Sequence, residues 1–158
     1  IVFSDIAVVG KRNGKDFLSF RIANERGNNV SSAKIHVSVL TFETTKEGEK
    51  IRRFHDLKLV RNNSPLFMLT WFVMHEVNDS SPLKGLNAHK MKQNDIWIVV
   101  SFSGHDAILS QVIYDTKIYK HEDIVWNAQL EDSLMTKPSG VLYVDFETFH
   151  KFKPQKLG

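Results

Sequence analysis

Histidine is the residue type in this sequence with the widest chemical range, since the seven histidines could bind a metal ion or carry protons. No two of them lie at the i, i+2 or i, i+4 spacing that places two ligands side by side. His36 and His55 fall on separate predicted strands, and His121 falls in a charged turn. The spacing favours structural histidines, and a site assembled from three distant histidines stays open as the alternative.

Other residues that could support catalysis do not form a recognisable motif. The sequence has no Gly-rich phosphate loop, no GxSxG and no HExxH. It has no cysteine, which excludes disulfides, thiolate nucleophiles and thiolate metal sites. We therefore expect no enzyme activity, no catalytic residue, no metal and no bound cofactor. His75, at the end of an apolar stretch, is expected to be a hydrogen-bonded structural residue.

Nucleic-acid binding is the next possibility, because Trp71, Trp97 and Trp126 could stack on bases. All three fall in strongly apolar segments, which favours packing in the core or between subunits. The net charge is only +3, and lysine and arginine are scattered among aspartate and glutamate. A solvated surface of mixed charge is the simpler interpretation, and a surface for nucleic acid or anionic lipid is the alternative.

These side chains must be positioned by the elements around one stretch, Ser64–Leu86. Its first part, Leu66–Val77, is apolar except for three residues and is rich in aromatic and β-branched side chains. This composition predicts a central strand that is covered on both faces. Turn-forming residues follow over Asn78–Pro82, and Lys84–Gln93 has weak helical character.

Short alternating segments separated by turns make up the rest of the chain. Asn13-Gly14 predicts a hairpin, and Asp95–Ser103 alternates until Ser103-Gly104-His105 is expected to break the strand. Ile108–Tyr119 is then predicted to resume as a strand. Strands spaced about 8 to 12 residues apart indicate a β-sandwich.

One domain is expected over residues 1–158, since no linker, repeat or low-complexity block divides the chain. Lys153–Gly158 is interpreted as a tail. No apolar stretch approaches the roughly 18 to 20 residues that span a bilayer. The chain begins with Ile and shows no signal peptide, so we expect it to be an excised fragment.

Several motifs carry a resemblance to a known family. They are the tryptophan-containing segment Trp71–Val77, the Ser-Pro turn Asp79–Leu83 with Gly85, and the arginine-containing segment Leu18–Arg26. In this order and spacing they resemble the cytoplasmic domain of inward-rectifier potassium channels, and the prokaryotic branch is the more similar. Further matching pieces extend the resemblance over nearly the whole chain.

The resemblance implies an all-β, immunoglobulin-like β-sandwich with one or two short helices. It implies a homotetramer on the cytoplasmic side of the cell membrane, where four copies extend the pore of their own transmembrane pore domain. The domain would couple intracellular signals to the gate of a potassium channel, which we group with the voltage-gated channels. Potassium ions would pass through without a bound cofactor. The alternative function is a soluble immunoglobulin-like module that binds another protein.

The resemblance also selects site residues. The segment Phe102–Asp106 matches the loop that narrows the pore near the membrane, with Gly104 expected to bend the backbone there. Together with a vestibule position, it implies an ion pathway lined by Ser103, Gly104, His105, Asp106 and Ser32. Arg26 matches a basic position in the loop that faces the membrane, where an anionic lipid could bind.

Departures from the family pattern also carry expectations. Ser32 and Ser103 stand where strongly rectifying animal channels have acidic residues, so strong block by polyamines is not expected. Ala107 and Thr116 stand where the family has a glutamate–arginine pair, so neither charge is left without its partner. His105 would place four imidazoles near a four-fold axis, and acidification would then reduce potassium current.

Overall fold

Alternating apolar side chains build two β-sheets that pack face to face in the computed structural model, which describes residues 1–155. Alternation turns one face of each strand toward the core and the other toward solvent. The predicted all-β sandwich with a short helix is therefore confirmed. Residues 156–158, which belong to the predicted domain and tail, lie outside the described residues.

Fourteen strands and one α-helix are present in the described residues. The strands are β1 (Val2–Phe3), β2 (Ala7–Arg12), β3 (Lys15–Ala23), β4 (Val30–Thr44), β5 (Lys50–Asp56), β6 (Asn63–Phe67), β7 (Thr70–Glu76), β8 (Trp97–Asp106), β9 (Gln111–Tyr119), β10 (Ile124–Trp126), β11 (Ala128–Leu130), β12 (Leu134–Thr136), β13 (Leu142–Val144) and β14 (Phe152–Pro154). The helix α1 spans Ala88–Gln93, and one turn of 3-10 helix spans His121–Asp123.

Strand β3 organises the first sheet. It pairs antiparallel with β1, β2 and β7, and β10 runs parallel to β2. The predicted hairpin at Asn13-Gly14 is confirmed, since Arg12 pairs with Lys15 across a two-residue turn. Both turn residues have positive φ, 53° and 79°, as the tight turn of a hairpin requires.

Strand β4 organises the second sheet, whose main order is β5-β4-β8-β9. One side of β4 pairs with β8, and the other side pairs with β6 and then β5. A bulge interrupts the β4–β8 ladder between Ser31 and Lys34. Strand β9 is therefore an edge strand, and β8 lies between β4 and β9.

The apolar stretch Leu66–Val77 is not the single central strand that its composition predicts. Its first residues belong to β6 in the second sheet, and its last belong to β7 in the first sheet. Along β7, Trp71, Val73 and His75 are buried while the residues between them are half-buried. The segment thus crosses from one sheet to the other. Its apolar residues are divided between two strands and do not cover the two faces of a single central strand.

The core lies between the sheets and is closed by polar contacts from the C-terminal segment. Phe20 and Tyr119 pack across it with ring centroids 5.4 Å apart. The buried Arg21 guanidinium donates to the carbonyl oxygens of Thr148 at 2.8 Å and Phe149 at 2.9 Å, and also to that of Glu131. Strands β11 to β14 form two small sheets, and this arginine binds the backbone just after β11 and shortly before β14.

Candidate functional site

The hairpin of β8 and β9 holds most of the predicted site, although its turn is not where the sequence predicts it. The expected break at Ser103-Gly104-His105 is wrong, because β8 continues through these residues to Asp106. Gly104 pairs with Ile113 and Asp106 pairs with Gln111. The turn is therefore formed by residues 107–110, and the predicted glycine bend is a straight part of the strand.

Gly104 is a glycine because of space and not because of backbone conformation. A Cβ atom at this position would lie 2.5 Å from Cγ1 of Val30. Val30 is 1% exposed and lies on the adjacent strand β4. Because a β-branched side chain has little freedom to move, the missing Cβ lets the two strands pack closely at this point.

Asp106 closes the hairpin turn instead of facing outward, as an ion-pathway residue would. It is 2% exposed, and its Oδ1 accepts from the backbone N–H of Ile108 at 2.9 Å and of Leu109 at 3.1 Å. Its Oδ2 accepts from the side-chain amide of Asn28 at 3.2 Å. The hydrogen bond from Leu109, with those from Asn28 and Ile108, holds the pKa of Asp106 below its ordinary value.

The loop between β3 and β4 is tied to this hairpin. Asn24 donates through its side-chain amide to the backbone oxygen of Asn28, and the Asn28 side chain reaches Asp106. Arg26 lies in the same loop with an exposed side chain, and its charge also favours the ionised form of Asp106. The predicted lipid-facing arginine is therefore near the predicted ion-pathway segment.

The remaining site residues lie on the outer face of the second sheet. His105 is exposed and Ser103 is half-buried, since they alternate with the buried Gly104 and Asp106. Ser32 is exposed with a φ of 50° in the bulge of β4, next to Ser31, which pairs with His105. The fold thus brings Ser32, Ser103 and His105 to one end of one sheet face.

The turn and β9 add exposed apolar side chains that the family motifs do not select. Ile108 is 70% exposed at the turn, and Leu109 beside it is 48% exposed. Val112 and Tyr114 follow on the outer face of β9, opposite His105 and Ser103. The signal was present in the sequence, because the apolar residues of Ile108–Tyr119 exceed what one core-facing side of an edge strand can bury.

Comparison with known proteins decides the family. The family model for the inward rectifier potassium channel C-terminal domain matches residues 1–156. The chain belongs to this family. The resemblance stated from the sequence motifs is therefore confirmed.

Named relatives of this inward-rectifier domain are potassium channels. The chain is 32% identical over 151 residues to the inward rectifier potassium channel Kirbac3.1 of Paramagnetospirillum magnetotacticum, covering 96% of the chain and 51% of that protein. It is 30% identical to the human ATP-sensitive inward rectifier potassium channel 10 over 94% of the chain and 40% of that protein. Mouse ATP-sensitive inward rectifier potassium channel 15 is 27% identical over 97% of the chain and 42% of its own length.

Two points follow from these relatives. The chain spans about half the length, or less, of the curated relatives it matches. The grouping with voltage-gated channels is wrong, because inward rectifiers are a separate class. Voltage gating depends on charged helices that move in the transmembrane field, which is not the property for which this family is named.

The histidines of the inward-rectifier domain do not assemble a metal site in the described residues, and His75 has a structural role. His75 donates through Nδ1–H to the Lys58 carbonyl at 2.7 Å, and its Nε2 accepts from the Ser81 hydroxyl at 2.6 Å. Burial lowers the pKa of His75, so the neutral ring is favoured. No group of three or more possible ligands is assembled within residues 1–155, so the alternative three-histidine metal site is not found there.

The tryptophans pack against neighbours. Trp71 lies beneath the Arg61 guanidinium at 5.2 Å, and Trp97 has its ring centroid 5.4 Å from that of Phe42. Trp126 is half-buried and lines a cavity between the two sheets. Among residues 1–155, no helix has the length and apolar character needed to cross a membrane.

Proposed function

We propose that this chain is the cytoplasmic pore-forming and gating domain of a tetrameric inward-rectifier potassium channel. Four copies surround one axis, continue the ion pathway of their own transmembrane pore domain and couple intracellular signals to its gate. Potassium ions pass through, and no bound cofactor or nucleic acid takes part. The family match over residues 1–156 is the observation that carries this proposal, and it favours the channel domain over a soluble protein-binding module.

The end of the second sheet that carries the β8–β9 turn is the part we assign to the pathway. Ser32, Ser103 and His105 lie together there, and Ile108 and Leu109 project from the turn beyond them. Exposed apolar side chains on a rigid hairpin suit a constriction, since rings of such side chains gate by excluding water. Gly104 and Asp106 then act indirectly, by packing β8 against β4 and by closing the turn.

His105 gives the pathway its proposed sensitivity to pH. Its side chain is exposed on the outer face of β8, beside the residues assigned to the pathway. Four protonated imidazoles near the axis would repel cations and lower potassium current as the pH falls. Arg26 is the proposed lipid contact, and one surface arginine attracts an anionic headgroup by only about 1 kcal/mol.

The absence of cysteine allows a direct test of the geometry. Ile108→Cys is introduced in a potassium channel that carries this chain as its C-terminal domain, reconstituted in proteoliposomes. The matched control is Lys46→Cys, an exposed residue in the turn after β4, at the end of that strand remote from the hairpin turn. We expect oxidation to link subunits through position 108 and not through position 46. Linking at position 46 alone would contradict the proposed arrangement.

The role of His105 is tested in the same channel by measuring potassium flux against pH. His105→Ala is expected to lose most of the inhibition by acid that the unmodified channel shows between about pH 7.5 and 5.5. His89→Ala, an exposed histidine on α1, is the matched control and should retain that inhibition. Equal pH dependence with and without His105 would exclude this residue as the sensor.

A further inference from the structure

A cavity of about 250 Å³ lies between the sheets at one edge of the sandwich, away from the β8–β9 turn. Its floor includes Leu18, Met91 and Ile98, all buried in the core. The Val9 and Trp126 side chains, from paired strands β2 and β10, line another part of it. Apolar side chains of the two sheets and α1 thus surround a space that core packing does not fill.

The size of this cavity fits a small ligand. Drug-sized molecules usually occupy pockets of about 300–1,000 Å³. An apolar cavity of about 150 Å³ is sufficient for benzene. A volume between these limits suits one aromatic ring or a short alkyl chain, and the polarisable Met91 beside Trp126 can adapt to either shape.

The mouth of the cavity is positively charged on one side. Gly85 lines the cavity, and Lys90 donates through Nζ to the Gly85 carbonyl oxygen at 3.1 Å. Lys90 forms no ion pair with any residue in 1–155, whereas Lys84 nearby is 3.5 Å from Asp79. Asp16 also lines the mouth, but its carboxylate is 3.3 Å from the Lys11 ammonium. Lys90 is not itself a lining residue, but its ammonium lies beside Gly85 of the lining and forms no ion pair within residues 1–155, so it is the charge that a ligand head reaching out of the cavity would meet.

Trp126 brings a polar group without a partner to the cavity lining. Its indole nitrogen, like that of Trp71, is buried and has no hydrogen-bond partner in the described part of the chain. Buried donors without an acceptor are uncommon because their lost hydration is not replaced. Because Trp126 lines the cavity, the signal of this unpaired N–H reports a change in the surroundings of its ring when a ligand enters.

From these observations we infer that the cavity between β2, β10 and α1 binds a small amphipathic carboxylate. The apolar body of the ligand lies against Leu18, Met91 and Trp126, and the carboxylate lies at the mouth beside Lys90. This inference goes beyond the proposed channel function and does not depend on it. Binding here is a property of one folded chain.

The test is a titration of the full 158-residue chain followed by NMR of the three indole N–H groups. Octanoate is the probe, and octanol and octylammonium carry the same chain with a neutral or positive head. We expect octanoate to shift the Trp126 signal saturably while the Trp71 and Trp97 signals stay in place. Octylammonium should bind at least about tenfold more weakly than octanoate, since it loses the pairing with Lys90 and meets that ammonium with like charge.

Two pairs of variants locate the site. Val9→Phe fills the cavity and should weaken octanoate binding by about tenfold, whereas Val125→Phe, a half-buried valine of β10 outside the cavity lining, should not. Lys90→Ala should weaken octanoate binding about two- to fivefold and leave octanol binding unchanged, whereas Lys92→Ala on the same helix should change neither.

Several results would overturn the inference. One is the absence of a saturable shift of the Trp126 signal with octanoate. Another is equal octanoate binding by Val9→Phe and the unmodified chain. Octylammonium binding as tightly as octanoate would refute the carboxylate preference. If Val9→Phe does not fold, Leu86→Phe, which fills the same cavity from its half-buried rim, replaces it.

Discussion

Two hairpins of this domain reverse the direction of the chain by different means. The β2–β3 hairpin turns in two residues, Asn13 and Gly14, and its end is polar and exposed. The β8–β9 hairpin turns in four residues and leaves Ile108 and Leu109 exposed at its end. The first turn depends on local conformation, while the second depends on Asn28 from another loop.

Gly14 and Gly104, one in each hairpin, are required for different reasons. Gly14 has a φ of 79° and nothing within 4 Å of a Cβ atom built on it, so it is required by the backbone alone. Gly104 is required by Val30 of the neighbouring strand, which a Cβ atom would meet at 2.5 Å. The β8–β9 hairpin is shaped by residues far away in the chain and holds apolar side chains in solvent. The β2–β3 hairpin is shaped by its own turn residues and exposes polar side chains.

The largest effect is expected from Gly104→Ala. The added methyl group must displace the buried Val30 side chain, and overpacking of this kind lowers the free energy of unfolding by about 1–3 kcal/mol. Chemical denaturation measures the change. In a Val30→Ala background the same substitution should cost less than half as much, because the space is then available. Equal costs in both backgrounds would mean that contact with Val30 is not the reason for the glycine.

Gly14→Ala tests the local hairpin and should cost about 1 kcal/mol in the same denaturation experiment, because alanine is strained at positive φ. Gly14→Asn should recover most of that loss, since asparagine adopts this conformation more readily. At position 104 the order should reverse, because asparagine is larger than alanine. The same order at both positions would remove the distinction between a glycine kept for conformation and one kept for space.

Acid should weaken the β8–β9 hairpin through Asp106. Hydrogen bonds in the folded state hold the pKa of this carboxyl below its ordinary value. Its contribution to stability is therefore complete above the unfolded-state pKa of about 3.9 and is lost as the pH falls below it. Denaturation of the unmodified chain and of Asp106→Asn between about pH 6 and 3 should give curves that converge at the acid end. Parallel curves would show that this carboxylate does not contribute to the acid sensitivity.

The contrast between the hairpins also explains how far the sequence can predict this molecule. Asn13-Gly14 and the alternation in β3 and β4 are local signals, and the elements that they predict are present. The crossing between β6 and β7 has no local signal, because Met68 and Leu69 are ordinary apolar residues. Which sheet each half joins is decided by pairing with β4 or β3, far away in the chain.

In the candidate site, too, some features have a local signal in the sequence and others do not. The motifs identify the family, and three of the residues that they select, Ser32, Ser103 and His105, lie together at one end of the second sheet. They place the turn too early, because a glycine in sequence does not reveal whether it serves conformation or space. They also omit Ile108 and Leu109, whose exposure follows from the closure of the turn by Asp106.

The smallest effect on stability, and the most direct test of the proposed pathway, is expected from Ile108→Ser. The side chain is 70% exposed, so its replacement should change the free energy of unfolding by less than about 0.5 kcal/mol. In a potassium channel that carries this chain, the substitution should raise potassium flux, because a polar ring at the constriction holds water more readily than an apolar ring. Arg12→Ser, at the end of the β2–β3 hairpin, is the control for the flux and should leave it unchanged, although the loss of its contact with the Phe72 ring at 5.0 Å can lower stability. If both variants left the flux unchanged, the two hairpin ends would be equivalent exposed turns, and the exposed apolar residues would need a role outside the ion pathway.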